Sequence, residues 1–354
     1  MGLPSINITF QTLAASAIKR SQKGIIAMIL QDSKELGVHT LSGISDIPKE
    51  LSAANKAQIQ LAFMGYVNPP RRVLLYVMDG TEKTLTDALE HFATIWFDYL
   101  VCHPEISGED ALTVANWVKA ERQNDHMVKA VLPNTAADSE AIVNFTTGGI
   151  KAGDTEFTTA QYCARIAGLI AGTPMTISCT YAPLPELSDV ERKTKLQLDT
   201  AIDAGEFIIF HDGEKVKVGR GVTSLKTTTE AKGDAFKSIK IVEAADMIKN
   251  DIRLTVQDSY IGKYANSYDN KCLLIMAVKG YLETLETEGI LDKGKSSVEI
   301  DMTAQEAYLK TTGTDTSSMS EQEIKEANTG KKVFLKANAK ILEAIEDVDL
   351  AFTI

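Results

Sequence analysis

The sequence predicts an α/β domain followed by a smaller α+β domain, and three observations carry that prediction. From Gly24 to Phe210, apolar runs of strand length alternate with stretches of helical periodicity, the pattern of repeated β-α-β units in a three-layer α/β domain. At His211 the texture changes to short strands, a Thr/Lys-rich loop and two long helices. The closing stretch Lys331–Ile354 then alternates apolar and polar residues with period two, as a strand with one buried face does.

In order, Gly24–Leu30 (GIIAMIL) is continuously apolar and reads as a strand buried on both faces. Ala53–Met64 is a helix stopped by Asn68-Pro69-Pro70, and Val73–Met78 is the next strand. Thr84–Ile95 is helical and Asp98–Cys102 a strand. Ser107 caps a helix over Glu109–Arg122, with Glu109 and Asp110 in its first turn, where the helix dipole favours them. Met127–Leu132 and Ala141–Thr146 are strands. Thr158–Ala171 is a small-residue helix (Ala160, Ala164, Ala167, Gly168) suited to close packing. Met175–Thr180 reads as extended, Asp189–Ala204 as a helix and Phe207–Phe210 as a strand. Asp212-Gly213 turns the chain into Lys215–Val218. After the loop Lys226–Gly233 come a strand, Ala235–Ile241, and two helices. One carries Ile241, Ala245, Ile248 and Ile252; the other carries Leu274, Ala277, Val278, Tyr281 and Leu285 and ends at Gly289. Val298–Met302 is a strand, Thr311–Ser320 a polar loop and Glu321–Ala327 a short helix. The expected division is 1–22 as an N-terminal arm, 23–212 as the α/β domain, 213–345 as the α+β domain and 346–354 as a C-terminal arm.

Both ends are strand-like. Ile6, Ile8 and Phe10 alternate with Ser5, Asn7, Thr9 and Gln11, either an ordinary first strand of the core sheet or a strand on a tether. Val333, Leu335, Ala337, Ala339 and Ile341 form one alternating set, and Val348, Leu350, Phe352 and Ile354 a second. The connection Leu342–Glu346 has no Gly, Asn, Asp or Pro and makes a poor hairpin turn. The last strand is therefore expected to pair with another subunit's sheet.

The 354 residues allow one large or two ordinary domains, and 44% apolar with 24% charged residues supports a packed core. A net charge of −11 argues against a general nucleic-acid binder. The four cysteines, Cys102, Cys163, Cys179 and Cys272, form no CxxC pair and give no metal spacing with the five histidines, so free thiols in a reducing compartment are expected. No signal peptide or membrane span is predicted. Neither GxGxxG nor GxxxxGK[ST] occurs, and no GxSxG elbow. Gly148-Gly149 reads as a turn. His39, His91, His103, His126 and His211 are expected in surface or capping roles, Asp347 and Asp349 as solubilising edge charges, and Tyr260, Tyr264 and Tyr268 as packing. No catalytic, cofactor-binding or metal-binding residue is predicted. An α/β enzyme with a C-terminal oligomerisation domain is the alternative, and it needs a pocket with convergent polar groups for which the sequence offers no candidate.

The stretch Gly219–Leu291 is the most specific. It holds Gly-Val-Thr-Ser-Leu (Gly221–Leu225), then Lys240-Ile241-Val242-Glu243-Ala244-Ala245-Asp246-Met247-Ile248, then Tyr260-Ile261-Gly262-Lys263-Tyr264-Ala265-Asn266 and a long helix ending in Glu288-Gly289-Ile290. This order resembles the C-terminal region of contractile-tail sheath proteins, and the two terminal strands extend the resemblance over nearly the whole chain. The lack of long insertions looks most like the compact sheaths of Gram-positive myophages, defective phages and diffocin-like R-type bacteriocins. The resemblance implies a structural subunit, not an enzyme. It implies hexameric rings stacked around an inner tube, which contract to drive the tube through a bacterial envelope. Ile6, Ile8 and Phe10 would form a donated N-terminal strand, Val348, Leu350, Phe352 and Ile354 a donated C-terminal strand, and Val333, Leu335, Ala337, Ala339 and Ile341 a receiving strand, with Leu342–Glu346 as the tether. Implied partners are other copies of the chain, the inner tube protein, and baseplate and tail terminator proteins, with no nucleic acid, membrane insertion or cofactor. Assembly in the bacterial cytoplasm and release on lysis as part of a phage-tail-like particle are implied too. The α/β domain would carry the label subtilisin-like, which describes a fold and transfers no protease activity.

Overall fold

The computed structural model of the chain describes residue 18, residues 23–230 and residues 232–353. The apolar run after Gly24 becomes strand β1 (Ile25–Gln31), whose interior is buried because helices cover both faces of its sheet. The chain continues through β2 (Gly37–Leu41), α1 (Ala53–Phe63), β3 (Arg72–Met78), α2 (Leu85–Phe92), β4 (Tyr99–Val101), α3 (Gly108–Gln123), β5 (Lys129–Pro133) and β6 (Ile142–Phe145). A hairpin, β7 (Ile150–Ala152) and β8 (Thr155–Phe157), precedes α4 (Thr159–Ala171). Next come α5 (Lys195–Asp203), β9 (Glu206–Phe207), β10 (Ile209–His211) and β11 (Val216–Val218). The remainder is α6 (Ile239–Ser259), α7 (Tyr268–Thr287), β12 (Ser297–Ile300), α8 (Met302–Thr311), α9 (Glu321–Glu326) and β13 (Leu335–Asn338).

The main sheet has the order β2-β3-β1-β4-β5-β6-β9 and is parallel except for β2 at its edge. From β1 the chain steps to one side, to β3, then returns past β1 to β4. Ile26, Met28, Val73, Leu75, Tyr99 and Val143 face one core, closed by α1 and α4. Ala27, Ile29, Leu74, Tyr76, Leu100 and Ala130 face the other, closed by α2 and α3. The small residues of α4 bring it against α1: a Cβ on Gly168 would lie 2.0 Å from the Ala62 carbonyl oxygen. Ser107 caps α3 as expected, accepting the Asp110 N–H at 3.1 Å.

By contact density the described chain forms two compact units, one of residues 23–246 with 343–353 and one of residues 247–342. The division falls inside α6. A buried ionic network ties the first turns of α6 to the sheet unit. Asp246 takes both terminal nitrogens of Arg122 at 2.8 Å and Lys129 at 3.2 Å. Glu243 pairs with Lys23 and accepts the Tyr99 hydroxyl at 2.8 Å. In the second unit the Tyr281 hydroxyl donates to Asp251 at 2.7 Å, joining α7 to the later turns of α6. β12 and β13 pair antiparallel there, Val298 opposite Ala337 and Ile300 opposite Leu335.

Several segments differ from expectation for local reasons. Ala235–Ile241 is not a strand: 234–237 is a 3-10 turn and α6 begins at Ile239, two residues before the i, i+4 pattern that starts at Ile241. Residues 189–194 are not helical, because the Asp189 carbonyl accepts the Lys151 N–H at 2.8 Å and Thr194 caps α5. Met175–Thr180 turns instead of extending, with Ile177 N–H on the Pro174 carbonyl. Two strands replace Phe207–Phe210: β9 completes the main sheet and β10 pairs with β11.

Candidate assembly site

The second unit offers an open strand. β13 is paired along one edge by β12, and among the described residues its other edge has no ladder partner. A strand with a free edge is a template for another chain. Asn266, from the Tyr260–Asn266 motif, sets the approach to β13. Its amide nitrogen donates to the Thr329 hydroxyl at 3.1 Å and to the carbonyls of Gly330 and Lys332 at 2.9 Å each. A groove of about 820 Å³ runs beside the strand, lined by Tyr260, Tyr264, Lys271, Leu274, Val333 and Leu335. The two tyrosine rings stack at 5.4 Å. Lys271 is buried, and burial lowers its pKa; its ammonium donates to the Ala327 carbonyl at 3.3 Å.

The five residues expected on the receiving strand therefore divide. Val333 and Leu335 line the groove, Ala337 and Ala339 are exposed, and Ile341 bridges to Leu291 past the end of the hairpin. Only Leu335–Asn338 has strand geometry, a shorter element than the alternation predicts.

The sheet unit carries the C-terminal segment. Its root is held by three carboxylates in a cleft of about 570 Å³. Glu343 accepts the Ser238 hydroxyl at 3.1 Å, and burial raises its pKa. Glu346 accepts the Thr180 hydroxyl at 2.7 Å and faces Arg220 Nε at 3.3 Å. Asp347 accepts from Arg220 Nη2 at 2.6 Å. Burial works against the Arg220 charge, but Asp347 and then Glu346 more than reverse it, so its pKa is raised. Asp347 is thus an ion-pair partner, not only a solubilising edge charge.

Beyond Asp347 the segment is unpaired. Val348, Leu350 and Phe352 are 74%, 75% and 83% exposed, and residues 342–353 have no assigned strand. Ile6, Ile8, Phe10 and Ile354 lie outside the described residues.

Sequence reasoning missed Arg220, Thr180, Lys271 and Asn266. Asn266 had a signal in its motif; the others are single polar residues whose partners are distant in sequence. Two histidines also correct the surface expectation, since His103 and His126 are buried. His126 stacks on Trp96, and its ring nitrogens are taken by Glu121 at 2.7 Å and the Ile95 carbonyl at 3.1 Å, so neither is available to a nucleophile. Cys102, Cys163 and Cys179 are buried, which pushes the Cys102 and Cys179 thiols up to about 12. Among the described residues, no cluster of His, Cys, Asp or Glu is placed to hold a metal ion, and no helix is long and apolar enough to cross a membrane.

Comparison with known proteins agrees along the chain. The model of the phage tail sheath protein central domain matches residues 80–224, and that of the phage tail sheath C-terminal domain matches residues 231–354. The tail sheath protein of Clostridium phage phiCD119 is 39% identical over 99% of this chain and 98% of its own length. In fold, the chain is similar to the sheath tail protein of Desulfitobacterium hafniense, with a TM-score of 0.70 at 18% identity over 84% of this chain and 94% of that one. It is equally similar to the helical sheath of the anti-feeding prophage in its contracted state, with a TM-score of 0.70 at 15% identity over 100% and 99% of the two chains. With both domain models matched and a relative aligned from end to end, the chain belongs to the phage tail sheath protein family, a family of structural proteins and not of enzymes.

Proposed function

We propose that this sheath subunit assembles through exchanged terminal strands. Six copies form a ring, rings stack around an inner tube, and each copy donates Val348, Leu350, Phe352 and Ile354 to the open sheet edge of a neighbour. Ile6, Ile8 and Phe10 form the second donated strand, and Val333, Leu335, Ala337, Ala339 and Ile341 lie on the receiving strand. In this reading the α/β domain, subtilisin-like in fold, faces outward. The other partners are the tube, baseplate and tail terminator proteins, assembled in the bacterial cytoplasm and released on lysis.

One observation carries this reading: three large apolar side chains at alternate positions stand in solvent on a segment whose root is pinned. Isolated exposed apolar residues need no explanation, but a period-two row of them asks for a partner sheet. Strand addition also satisfies the backbone groups of both partners. Contraction would move subunits as rigid bodies while the hinges absorb the change. It would draw on new subunit contacts and need no nucleotide; extended particles that contract only with nucleotide would refute this part. The principal test is deletion of Val348–Ile354. The expected product is a folded subunit that forms no tubes; global unfolding would show that the last strand belongs to its own subunit's core.

A further inference from the structure

The Gly221–Leu225 stretch is a bracket. Its Thr223 N–H donates to the Lys237 carbonyl at 2.8 Å, Ser224 N–H donates to the Ile142 carbonyl at 2.7 Å, and the Gly221 carbonyl accepts the Ile239 N–H at 2.9 Å. The Ser224 hydroxyl adds a bond to the Ser139 carbonyl at 3.0 Å. The residue before the bracket, Arg220, is thereby held on a fixed piece of backbone.

Gly221 lets a second group come close. A Cβ there would lie 2.8 Å from Cys179 Sγ and 3.3 Å from Ser178 Oγ. Through that approach the Gly221 N–H donates to Thr180 Oγ1 at 2.9 Å, and the Ser178 hydroxyl donates to the same oxygen at 2.9 Å. Both acceptor positions of Thr180 are then used, and its own hydrogen is directed at Glu346, 2.7 Å away. Arg220 closes the other side, its planar guanidinium spanning the consecutive carboxylates of Glu346 and Asp347. Exposure alternates along the root, where Ile345 is 91% and the Glu346 side chain 20% exposed, and from Asp347 onward every described residue is exposed.

We propose that Arg220 and Thr180 form a clamp that holds the root of the C-terminal arm on its own subunit, so that the exchanged strand begins at Val348 and swings about the Asp347–Val348 linkage. The inference rests on the arm-exchange reading and sharpens it. The free reach is not that of a tether over Leu342–Glu346. It is set by residues 348–354 alone, about 23 Å when extended. A fixed root with a short free strand dictates where the receiving edge of a second copy must stand, so Arg220 and Thr180 act as positioning residues for subunit spacing.

The test uses the full chain, unassembled and assembled. Arg220→Ala is expected to lower the backbone NMR order parameters of residues 343–347 from about 0.85 to below about 0.6, with those of the main sheet unchanged. Thr180→Val does the same to a smaller degree. Tubes of Arg220→Ala then lose uniform subunit spacing in electron micrographs. Reversing the charges, with Arg220→Glu combined with Glu346→Lys and Asp347→Lys, restores order and spacing in part, since the Thr180 bond is not remade. Unchanged order parameters in Arg220→Ala overturn the clamp, as does a folded charge-reversed variant that recovers neither property. Deletion of Val348–Ile354 separates the two claims. If that variant still forms tubes, arm exchange fails, while the order parameters of the unassembled subunit continue to decide the clamp.

Discussion

Replacing Leu350 and Phe352 together by alanine probes the proposed donated strand without touching its root. Both side chains are already in solvent, 75% and 83% exposed, so the isolated subunit has little to lose and its stability is expected to change by under about 0.5 kcal/mol. Assembly is different. Fully burying a Leu or Phe contributes about 1.5–3 kcal/mol, and applying the exposed fractions to the pair gives about 2.4–4.7 kcal/mol lost per donated strand. At about 1.4 kcal/mol per factor of ten, the affinity of each contact falls roughly 50- to 2,000-fold. The assay is sedimentation of tubes from monomer over a concentration series, with circular dichroism melting of the unassembled protein as the control. The expected result is an unchanged melt and a critical concentration at least about 50-fold higher. Tubes at the wild-type concentration would refute the reasoning, and so would a variant that melts early, since that would place the two side chains in the subunit's own core.

Other predictions concern the scaffold. Gly168→Ala must push α4 away from α1, because the new methyl would meet the Ala62 carbonyl; a loss of about 1–3 kcal/mol or more is expected in urea unfolding. Asp246→Ala strips Arg122 and Lys129 of a shared, buried carboxylate, and should cost about 3–5 kcal/mol by the same measurement. Asp32 supplies a pH signature. Burial alone would raise its pKa, but the Ser52 N–H, the Asn55 amide and the Ser33 N–H hold it at about 2, below 3.8. A depressed folded-state value stabilises the native state above the unfolded value, and that contribution is lost as pH falls from 3.8 through about 2. Asp32→Asn should therefore lower stability at neutral pH and flatten the acid limb of the stability curve; an unchanged limb would show that Asp32 is not held this way.

The parallel strands were readable because burial on both faces leaves continuous apolar runs, as in Ile26–Leu30 and Val73–Met78. Caps such as Ser107 were readable because their partners lie three residues away. The edge strand β2 was not, since Val38 and Thr40 are exposed and the segment carries no one-sided apolar pattern. The β7–β8 hairpin, with strands of three residues, is too short for periodicity to register. At the candidate site, alternation identified Val348, Leu350 and Phe352 as one face of an unpaired segment. It could not reveal the root clamp, because Thr180, Arg220 and Glu346 meet only after the chain has folded across more than a hundred positions. Nor could it limit the strand to Leu335–Asn338, since the alternation runs on beyond the ladder with β12.

Cryo-electron microscopy of tubes assembled from the purified chain tests the exchange most directly. The account predicts continuous density from Asp347 through Val348–Phe352 into the open sheet edge of a neighbouring copy, beside its Leu335–Asn338 strand. Density for Val348–Phe352 folded back on its own subunit, in tubes that are otherwise ordered, would contradict it.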